Sequence, residues 1–166
     1  QAEVISGGYA YPNVKPPRPY ILRWYYGKKV EEQDAQKRSI NPNFSFSTFN
    51  FLIKKKLFEK IEFDESLTTY GHEDTLFGWE LQQRGVTVKH IDNPLLHKVE
   101  VESLHYIRQT EEAIQNLLKI FFQIENREKW LESVALLRFV QKIETLHLLL
   151  PFLALFRVTK SLQRKI

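Results

Sequence analysis

Two adjacent carboxylates, Glu73 and Asp74, stand at the point in the sequence where an apolar run typical of a helix begins. Acidic residues suit the first turn of a helix, because the helix dipole and the unpaired backbone N–H groups favour negative charge there. A carboxylate can also act as a general base that removes a proton from a hydroxyl group. The helix N-terminus would lower the pKa of such a carboxylate and keep it ionised. The pair on its own therefore fits either helix stabilisation or proton transfer.

Several residues close to this pair in sequence are of types found in substrate-binding or metal-binding sites. They are Tyr70, Gly71 and His72 before it and Trp79, His90 and His97 after it. Aromatic faces suit the C–H surface of a sugar ring, although an aromatic residue within a helix, such as Trp79, more often packs in the core. His97 could bind a metal or could end a strand with a backbone partner, whereas His90 alternates into a strand and better fits a core or surface position. Asn50, which precedes FLIKKK, could contact a substrate or cap a helix.

The composition limits the chemistry open to these residues. The chain has 166 residues, of which 43% are hydrophobic, so it can bury the core of one domain, or of one domain followed by a helical tail. It has no cysteine, which excludes disulfides and thiolate metal sites and leaves histidine, carboxylate and backbone oxygen as metal ligands. The net charge is +4, with basic residues concentrated at both ends, where they could face phosphates, an anionic membrane or solvent.

The elements that would position these residues fall into three regions. Residues 1 to about 43 contain the strand-like stretch EVISGGYAY and a proline-rich, irregular loop. Residues 44 to about 98 alternate strand patterns, FSFSTFNFLI and VTVKHID, with helix patterns, KKKLFEKI and EDTLFGWELQQR, the second of which ends at Gly85. From residue 101 onward, apolar residues recur at the spacing of two successive helices. This order predicts the α/β class with a C-terminal helical region.

The order of motifs in residues 49–97 resembles the C-terminal half of the catalytic domain of family 2 glycosyltransferases, which have the GT-A fold. The motifs are an Asn followed by basic residues in FNFLIKKKLF, the turn FDE, a Gly-x-Glu-Asp sequence in YGHED at a helix start, a strand, and the histidine of NPLLH. The upstream stretch VISGGYAYP looks like the strand that follows the metal-binding motif in that family. The resemblance implies a partial GT-A-like fold with a mixed sheet. Residues 1–100 would form the acceptor-side part of the catalytic domain, and residues 101–166 a helical tail able to associate with a membrane.

The same resemblance implies a function. Enzymes of this family transfer a sugar from a nucleotide-diphosphate donor to an acceptor hydroxyl, here expected with inversion and in bacterial polysaccharide or glycolipid assembly. Asp74 matches the general base and Glu73 the neighbouring carboxylate that orients the acceptor or the helix start, while His97 matches a ligand of Mn²⁺ or Mg²⁺. The residues then expected to contact substrate are Tyr70, Gly71, His72, Trp79 and Asn50. The partners would be a nucleotide sugar and a glycan or lipid-linked acceptor, in the cytoplasm or at the inner face of the plasma membrane.

One departure from the family pattern is the absence of an Asp-x-Asp sequence, which those enzymes use to bind the metal and the donor. The aspartates of the chain are Asp34, Asp64, Asp74 and Asp92, none of which is two residues from another. The chain also contains no methionine. We therefore expect a nucleotide-binding half to lie upstream in a longer protein, and we expect little or no transferase activity from this chain alone.

Functions of other classes are also open. The C-terminal helices could form a non-catalytic interaction or membrane-docking module. This region contains the apolar segment LHLLLPFLALFRV at 146–158, which is too short and too interrupted by proline to span a bilayer. The basic, aromatic-rich composition could suit nucleic-acid binding, but the phenylalanines fall in core-like patterns, so no nucleic-acid partner is expected. A metal hydrolase built on GHED and His97 would need a second spaced pair of ligands, which the sequence lacks.

Overall fold

The structure, a computed structural model, describes residues 2–134 of the chain. The strands of this part are β1 (Val4–Ser6), β2 (Tyr9–Ala10), β3 (Phe51–Ile53), β4 (Lys89–His90) and β5 (Leu95–Leu96). Its α-helices are α1 (Ile21–Tyr26), α2 (Ala35–Arg38), α3 (Lys55–Phe58), α4 (Glu73–Gln83), α5 (Ser103–Gln123) and α6 (Arg127–Ser133). A 3₁₀ turn, Arg18–Tyr20, leads into α1, and a π-helical turn, Gly27–Glu31, follows it.

Strand β1 lies at the centre of a three-stranded mixed sheet in the order β3–β1–β4. It pairs antiparallel with β3, where Ile5 lies opposite Leu52, and parallel with β4, where Ser6 lies opposite His90. Strands β2 and β5 form a second, two-stranded parallel sheet. Helices lie between β2 and β3 and between β3 and β4 along the chain, so the predicted mixed α/β class is confirmed.

The hydrophobic core collects side chains from β1, α3, α4 and the segments between them. Its buried members are Val4, Phe46, Leu57, Ile61, Phe77, Leu81 and Val88. Ring stacking fixes its centre, because the Phe77 ring centroid lies 4.5 Å from that of Phe63 and 5.6 Å from that of Phe46. Helix α4 therefore packs its buried face against the core, and its first turn lies at the edge of the core.

Helix α4 is fixed at its middle and at its end. At the middle, it approaches the Asn43 backbone so closely that a Cβ on Gly78 would lie 2.0 Å from the Asn43 carbonyl oxygen. At the end, Gly85 has φ 73 and the Val86 N–H donates to the Leu81 carbonyl at 3.0 Å, as in a Schellman cap. The helix closes at the glycine that the sequence predicted, and its position against the core is fixed.

The structure differs from the sequence prediction in two segments. Residues 18–38, predicted as part of an irregular loop, contain α1, α2 and both short helical turns. Pro19 does not prevent this, because it stands in the first turn of the 3₁₀ segment, where its missing N–H is not needed. The strand predicted for FSFSTFNFLI is confined to β3, and the preceding residues 44–50 are turns and irregular backbone. The aromatic alternation there reflects core packing of loop residues such as Phe46.

By its contacts the chain divides into two units, residues 1–123 and residues 124–166. Helix α5 thus belongs to the same unit as both sheets, whereas the sequence placed a division after residue 100. The remainder of the predicted second C-terminal helix, up to Ile143, and the segment 146–158 lie outside the described residues. Within residues 2–134, no helix is both long enough and apolar enough to cross a bilayer.

Candidate active site

A left-handed turn brings the chain into α4. Gly71 has φ 99, and a Cβ at that position would lie 2.6 Å from the Ala113 Cβ on α5. His72 has φ 70, a conformation that residues other than glycine rarely adopt, and its Nδ1 lies 3.1 Å from the Thr75 hydroxyl. The helix begins at Glu73, so the predicted placement of the carboxylate pair in its first turn is confirmed.

Helix α5 holds this turn in place through Asn116. The Asn116 side chain is 5% exposed, and its Nδ2 donates to the carbonyls of Thr69 at 2.9 Å and Gly71 at 3.0 Å. The Thr69 hydroxyl donates back to the Asn116 Oδ1 at 2.9 Å. Because these bonds fix the backbone just ahead of α4, they also fix the position from which the Asp74 side chain projects.

Asp74 carries a buried oxygen, Oδ1, that has no hydrogen-bond partner in the described part of the chain. Burial raises the pKa of Asp74; hydrogen bonds from the hydroxyl and backbone N–H of Thr48 oppose the rise, and the charge of Glu73 adds to it. The lowered pKa predicted from the helix N-terminus is wrong, because loss of hydration outweighs the helix dipole at this depth. Glu73 itself is exposed. The two carboxylates therefore differ sharply in environment: Asp74 is partly buried with an unpaired oxygen, whereas Glu73 faces solvent.

His97 lies among aromatic rings at the end of β5. Its backbone N–H donates to the Ala10 carbonyl at 2.8 Å, and its ring stacks on Tyr11 with centroids 5.2 Å apart and lies 5.0 Å from Phe49. Its Nδ1 is buried and unpaired among residues 2–134. Burial lowers the pKa of His97, and the positive charge of Arg23 lowers it further. The neutral ring is therefore favoured, and its Nδ1 can serve as an acceptor or a ligand.

Tyr9 connects His97 to Asp74. The Tyr9 ring stacks on Phe49 with centroids 4.8 Å apart and lies 6.1 Å from the His97 ring. Burial raises the pKa of Tyr9 to about 12; the hydrogen bond that its hydroxyl shares with Ser47 opposes the rise, and the negative charge of Asp74 adds to it. Because Tyr9 lies beside the His97 ring and within range of the Asp74 charge, we treat Asp74 and His97 as parts of one candidate site. We call the rings of Tyr9, Tyr11, Phe49 and His97 the aromatic cluster.

An ion pair that the sequence analysis missed borders the aromatic cluster. Arg23 on α1 lies 3.0 Å from Glu31, and its guanidinium carbon lies 5.5 Å from the Tyr11 ring centroid and 5.4 Å from that of Tyr106. The Tyr11 hydroxyl also donates to Glu31. No motif marks this pair, because it depends on helical structure in a stretch that its prolines made look irregular.

Tyrosines line the exposed edge of the site. Tyr70, a predicted substrate contact, is 45% exposed, and Tyr26 is 41% exposed. The Tyr26 ring centroid lies 5.9 Å from that of Tyr106. Burial raises the pKa of Tyr70; the charge of Arg23 lowers it, and that of Glu31 raises it. Tyr70 therefore lies within interaction range of the ion pair while its ring stays accessible to a ligand.

Two predicted substrate contacts have other positions. Trp79 is 3% exposed, and its ring centroid lies 6.2 Å from that of Phe44. The predicted contact of Trp79 with substrate is wrong, because the ring is buried in the helix–core interface. The Asn50 side chain donates to the carbonyls of Gly8 at 3.1 Å and Asn93 at 2.8 Å. It ties together the loops that lead into β2 and β5, so it positions the aromatic cluster and caps no helix.

His90 and His72 are engaged within the protein. His90 is 7% exposed and lies in β4, where its Nδ1 accepts from the Arg38 Nε at 3.2 Å and its Nε2 lies 2.9 Å from the Pro42 carbonyl. This confirms a core role for His90. Burial lowers the pKa of His72, whose ring faces its own helix through Thr75.

The described residues supply only part of a metal site. Within residues 2–134, no three His, Cys, Asp or Glu side chains converge as a ligand group. The unpaired Nδ1 of His97 suits Mn²⁺ as a single nitrogen ligand. The other ligands would have to be phosphate oxygens or groups from outside the described residues. His97 thus fits the predicted metal ligand as one donor of a larger set.

No protein-family model, curated protein or solved structure matches the chain. Three groups of the candidate site define its chemistry. Those groups are a base-like carboxylate with a free oxygen, a neutral imidazole with a free nitrogen, and a cation held between rings.

Proposed function

We propose that the chain is the acceptor-side part of a family 2-like glycosyltransferase with a GT-A-like fold, which transfers a sugar from a nucleotide-diphosphate donor to an acceptor hydroxyl. The observation that carries this proposal is the buried, unpaired Oδ1 of Asp74 in the first turn of α4. The small mixed sheet with flanking helices is compatible with such a fold in its coarse class. The nucleotide-binding half would be supplied by upstream sequence.

In this mechanism Asp74 is the general base. As the acceptor oxygen attacks the anomeric carbon, its proton passes to the unpaired Oδ1, and the bond between that carbon and the diphosphate oxygen breaks with its electron pair leaving on the nucleotide. Attack from the face opposite the leaving group inverts the anomeric centre. The raised pKa of Asp74 increases its affinity for the proton, and the exposed Glu73 would orient the acceptor.

His97 would contribute one ligand to a divalent cation. Bound Mn²⁺ or Mg²⁺ would neutralise charge on the leaving diphosphate. The aromatic cluster holds the imidazole in one orientation and shields it from water, which keeps the ring neutral as a metal ligand must be. The setting that we propose is bacterial polysaccharide or glycolipid assembly, in the cytoplasm or at the inner face of the plasma membrane.

The test is nucleotide release from a panel of sugar nucleotides by the natural polypeptide that carries this chain, with Mn²⁺ or Mg²⁺ and a panel of glycan acceptors. The Asp74→Asn variant should turn over about a hundredfold more slowly or worse, because it cannot take the proton. Asp64→Asn, a matched change at an exposed aspartate, should leave the rate unchanged. Turnover of Asp74→Asn at the wild-type rate would refute the assignment.

One observation favours a second candidate, a membrane-docking module. Helix α5 leaves a row of apolar side chains exposed: Leu104, Ile107, Ile114, Leu118 and Phe122. Such a row beside basic residues can bind an anionic interface. Binding to phosphatidylglycerol vesicles that persists in Asp74→Asn, with no sugar nucleotide turned over by the natural polypeptide, would favour docking over transfer.

A further inference from the structure

Helix α1 exposes apolar and aromatic side chains and buries a charged one. Arg23 and Trp24 are 5% and 8% exposed, whereas Leu22, Tyr25 and Tyr26 are 38%, 57% and 41% exposed. The three exposed residues are spaced i, i+3 and i+4, so they share one face of the helix. A helix on a solvated surface normally turns its polar side chains outward. The exposed face of α1 is therefore better suited to an apolar partner than to water.

The start of α5 adds two more exposed apolar side chains next to α1. Leu104 and Ile107 are 72% and 46% exposed. They follow Ser103, whose hydroxyl donates to the Pro19 carbonyl at 2.7 Å and so ties the start of α5 to the turn that leads into α1. The exposed apolar side chains of the two helices thus belong to neighbouring elements. We call them the α1–α5 surface: Leu22, Tyr25, Tyr26, Leu104 and Ile107.

The charges that flank α1 are all positive. Residues 4–30 contain no acidic residue. The exposed cations of this segment are Lys15, Arg18 and Lys29, and none of them forms an ion pair among residues 2–134. Arg18 and Lys29 lie in the two short helical turns at either end of α1. Helix α5 adds no net charge, because its two acidic and two basic residues balance. The α1–α5 surface is therefore apolar with a positive border.

An anionic bilayer surface matches both of these properties. Leucine and tyrosine side chains partition into the boundary between headgroups and hydrocarbon, while neighbouring lysine and arginine side chains reach anionic headgroups. A second copy of the chain fits less well, since a two-fold contact would bring the same unpaired cations against each other. Charge complementarity therefore selects lipid as the occupant.

We propose that the α1–α5 surface docks the protein on an anionic membrane. Leu22, Tyr25 and Tyr26 would enter the headgroup region together with the start of α5, and the flanking cations would contact lipid phosphates. The far end of α5, with Ile114 and Leu118, is not needed for this contact. The proposal does not depend on the proposed function, because a transferase and a non-catalytic protein could dock in the same way.

The docking surface borders the candidate active site. The Tyr26 ring centroid lies 5.9 Å from that of Tyr106, and the Tyr106 ring lies within cation–π range of Arg23. Docking through Tyr26 would therefore hold this edge of the site close to the lipid headgroups.

Vesicle sedimentation with the natural polypeptide that carries this chain tests the choice of partner. Binding should be at least about tenfold tighter to vesicles that contain phosphatidylglycerol than to pure phosphatidylcholine, and it should weaken as salt is raised to about 0.5 M. Equal binding to both kinds of vesicle, or binding to neither, would overturn the proposal. A dimer in solution that Tyr25→Ser dissociates, without vesicle binding by the wild type, would assign the surface to a second copy instead.

Apolar variants test which surface makes the contact. Tyr25→Ser should weaken binding to phosphatidylglycerol vesicles at least about fivefold. Leu52→Ser, at a side chain that is 72% exposed on β3, is the matched control and should bind like wild type. Loss of binding in Ile114→Ser/Leu118→Ser but not in Tyr25→Ser would place docking at the far end of α5 and overturn the assignment. Circular dichroism would verify that each variant is folded.

Charge variants test the positive border separately. The combined variant Lys15→Gln/Arg18→Gln/Lys29→Gln should weaken binding to phosphatidylglycerol vesicles at least about tenfold. The matched control replaces the exposed lysines 54–56 with Gln and removes the same charge elsewhere. The control should stay within about twofold of wild type. Equal loss in both combined variants would show attraction by overall charge alone, and wild-type binding by the first would remove the border from the contact; either result would overturn the proposal.

Docking and transfer can fail separately, since vesicle binding is measured without donor or acceptor. If the α1 variants lose vesicle binding but no sugar nucleotide is turned over, the docking surface stands and the transferase proposal fails. If Asp74→Asn abolishes turnover but the α1 variants bind vesicles like wild type, the transferase proposal stands and the docking surface fails.

Discussion

Replacing Asp74 by Asn is expected to inactivate the protein and, at neutral pH, to stabilise its fold. The Oδ1 atom of Asp74 is buried without a partner, and burial raises the pKa of the side chain. Leaving a buried polar atom unpaired costs about 1–3 kcal/mol, and more when it is charged. Asn has nearly the same shape and no charge but keeps polar atoms, so we expect a gain of about 1 kcal/mol in the free energy of unfolding. That gain corresponds to a rise in Tm of about 2–4 °C for a chain of this size.

The dependence of this gain on pH follows from the direction of the pKa change. Because the folded-state pKa of Asp74 is raised, the folded protein holds the proton more tightly than the unfolded chain does. The contribution to stability is therefore present below the ordinary pKa of 3.8 and is lost as the pH rises through the folded pKa. The advantage of Asn over Asp should be full at neutral pH and should shrink toward zero as the pH falls to about 4.

Thermal unfolding of both variants across that pH range is the assay, with Glu73→Gln as the matched control. Glu73 is exposed in the same helical turn, where its charge is favoured by the helix dipole. Its neutralisation should lower stability by about 0.3–1 kcal/mol, opposite in sign to the effect at Asp74. The reasoning is refuted if Asp74→Asn lowers Tm at pH 7, or if it raises Tm equally at every pH.

Four further outcomes are expected. The acid limb of kcat/KM against pH should lie above the pH at which an ordinary aspartate titrates, because burial raises the pKa of Asp74 and Asp74 must be ionised to act; a limb below that pH would contradict the raised pKa. Gly78→Ala should destabilise the fold by about 1–3 kcal/mol in chemical denaturation, although alanine favours helices, because its Cβ would meet the Asn43 carbonyl. Asn116→Ala should lower both stability, by about 1–3 kcal/mol, and kcat, since it releases the turn ahead of α4; unchanged kcat would show that the turn holds without it. Trp79→Phe should lower Tm without changing the acceptor KM, because Trp79 is buried in the core.

Features with local causes could be predicted from the sequence. The start of α4 at Glu73 follows from acidic residues in a first turn, and its end follows from Gly85, which adopts the left-handed conformation of a Schellman cap. Each signal depends on a few neighbouring residues and on backbone chemistry alone. The mixed α/β class followed for the same reason, because alternation of strand and helix patterns is visible along the chain.

Features that depend on packing between distant parts of the chain could not be predicted from the sequence. The sequence favoured a core position for Trp79 but left contact with a sugar open, and the position of α4 against the core decides for burial. The direction of the Asp74 pKa was mispredicted because the helix dipole can be read from sequence and desolvation cannot. Arg23 and Glu31 meet across a helical turn that was not predicted, because the neighbouring prolines indicated irregular backbone.

The unpaired groups of the site argue that it was shaped for a ligand. Asp74 and His97 come from separated parts of the chain, and each keeps a buried polar atom without a partner among residues 2–134. A core selected only for stability would pair such atoms or replace them with apolar ones, since each unpaired atom costs about 1–3 kcal/mol. Concentration of these costs in one site, beside accessible tyrosine rings, is expected where an incoming molecule completes the bonds.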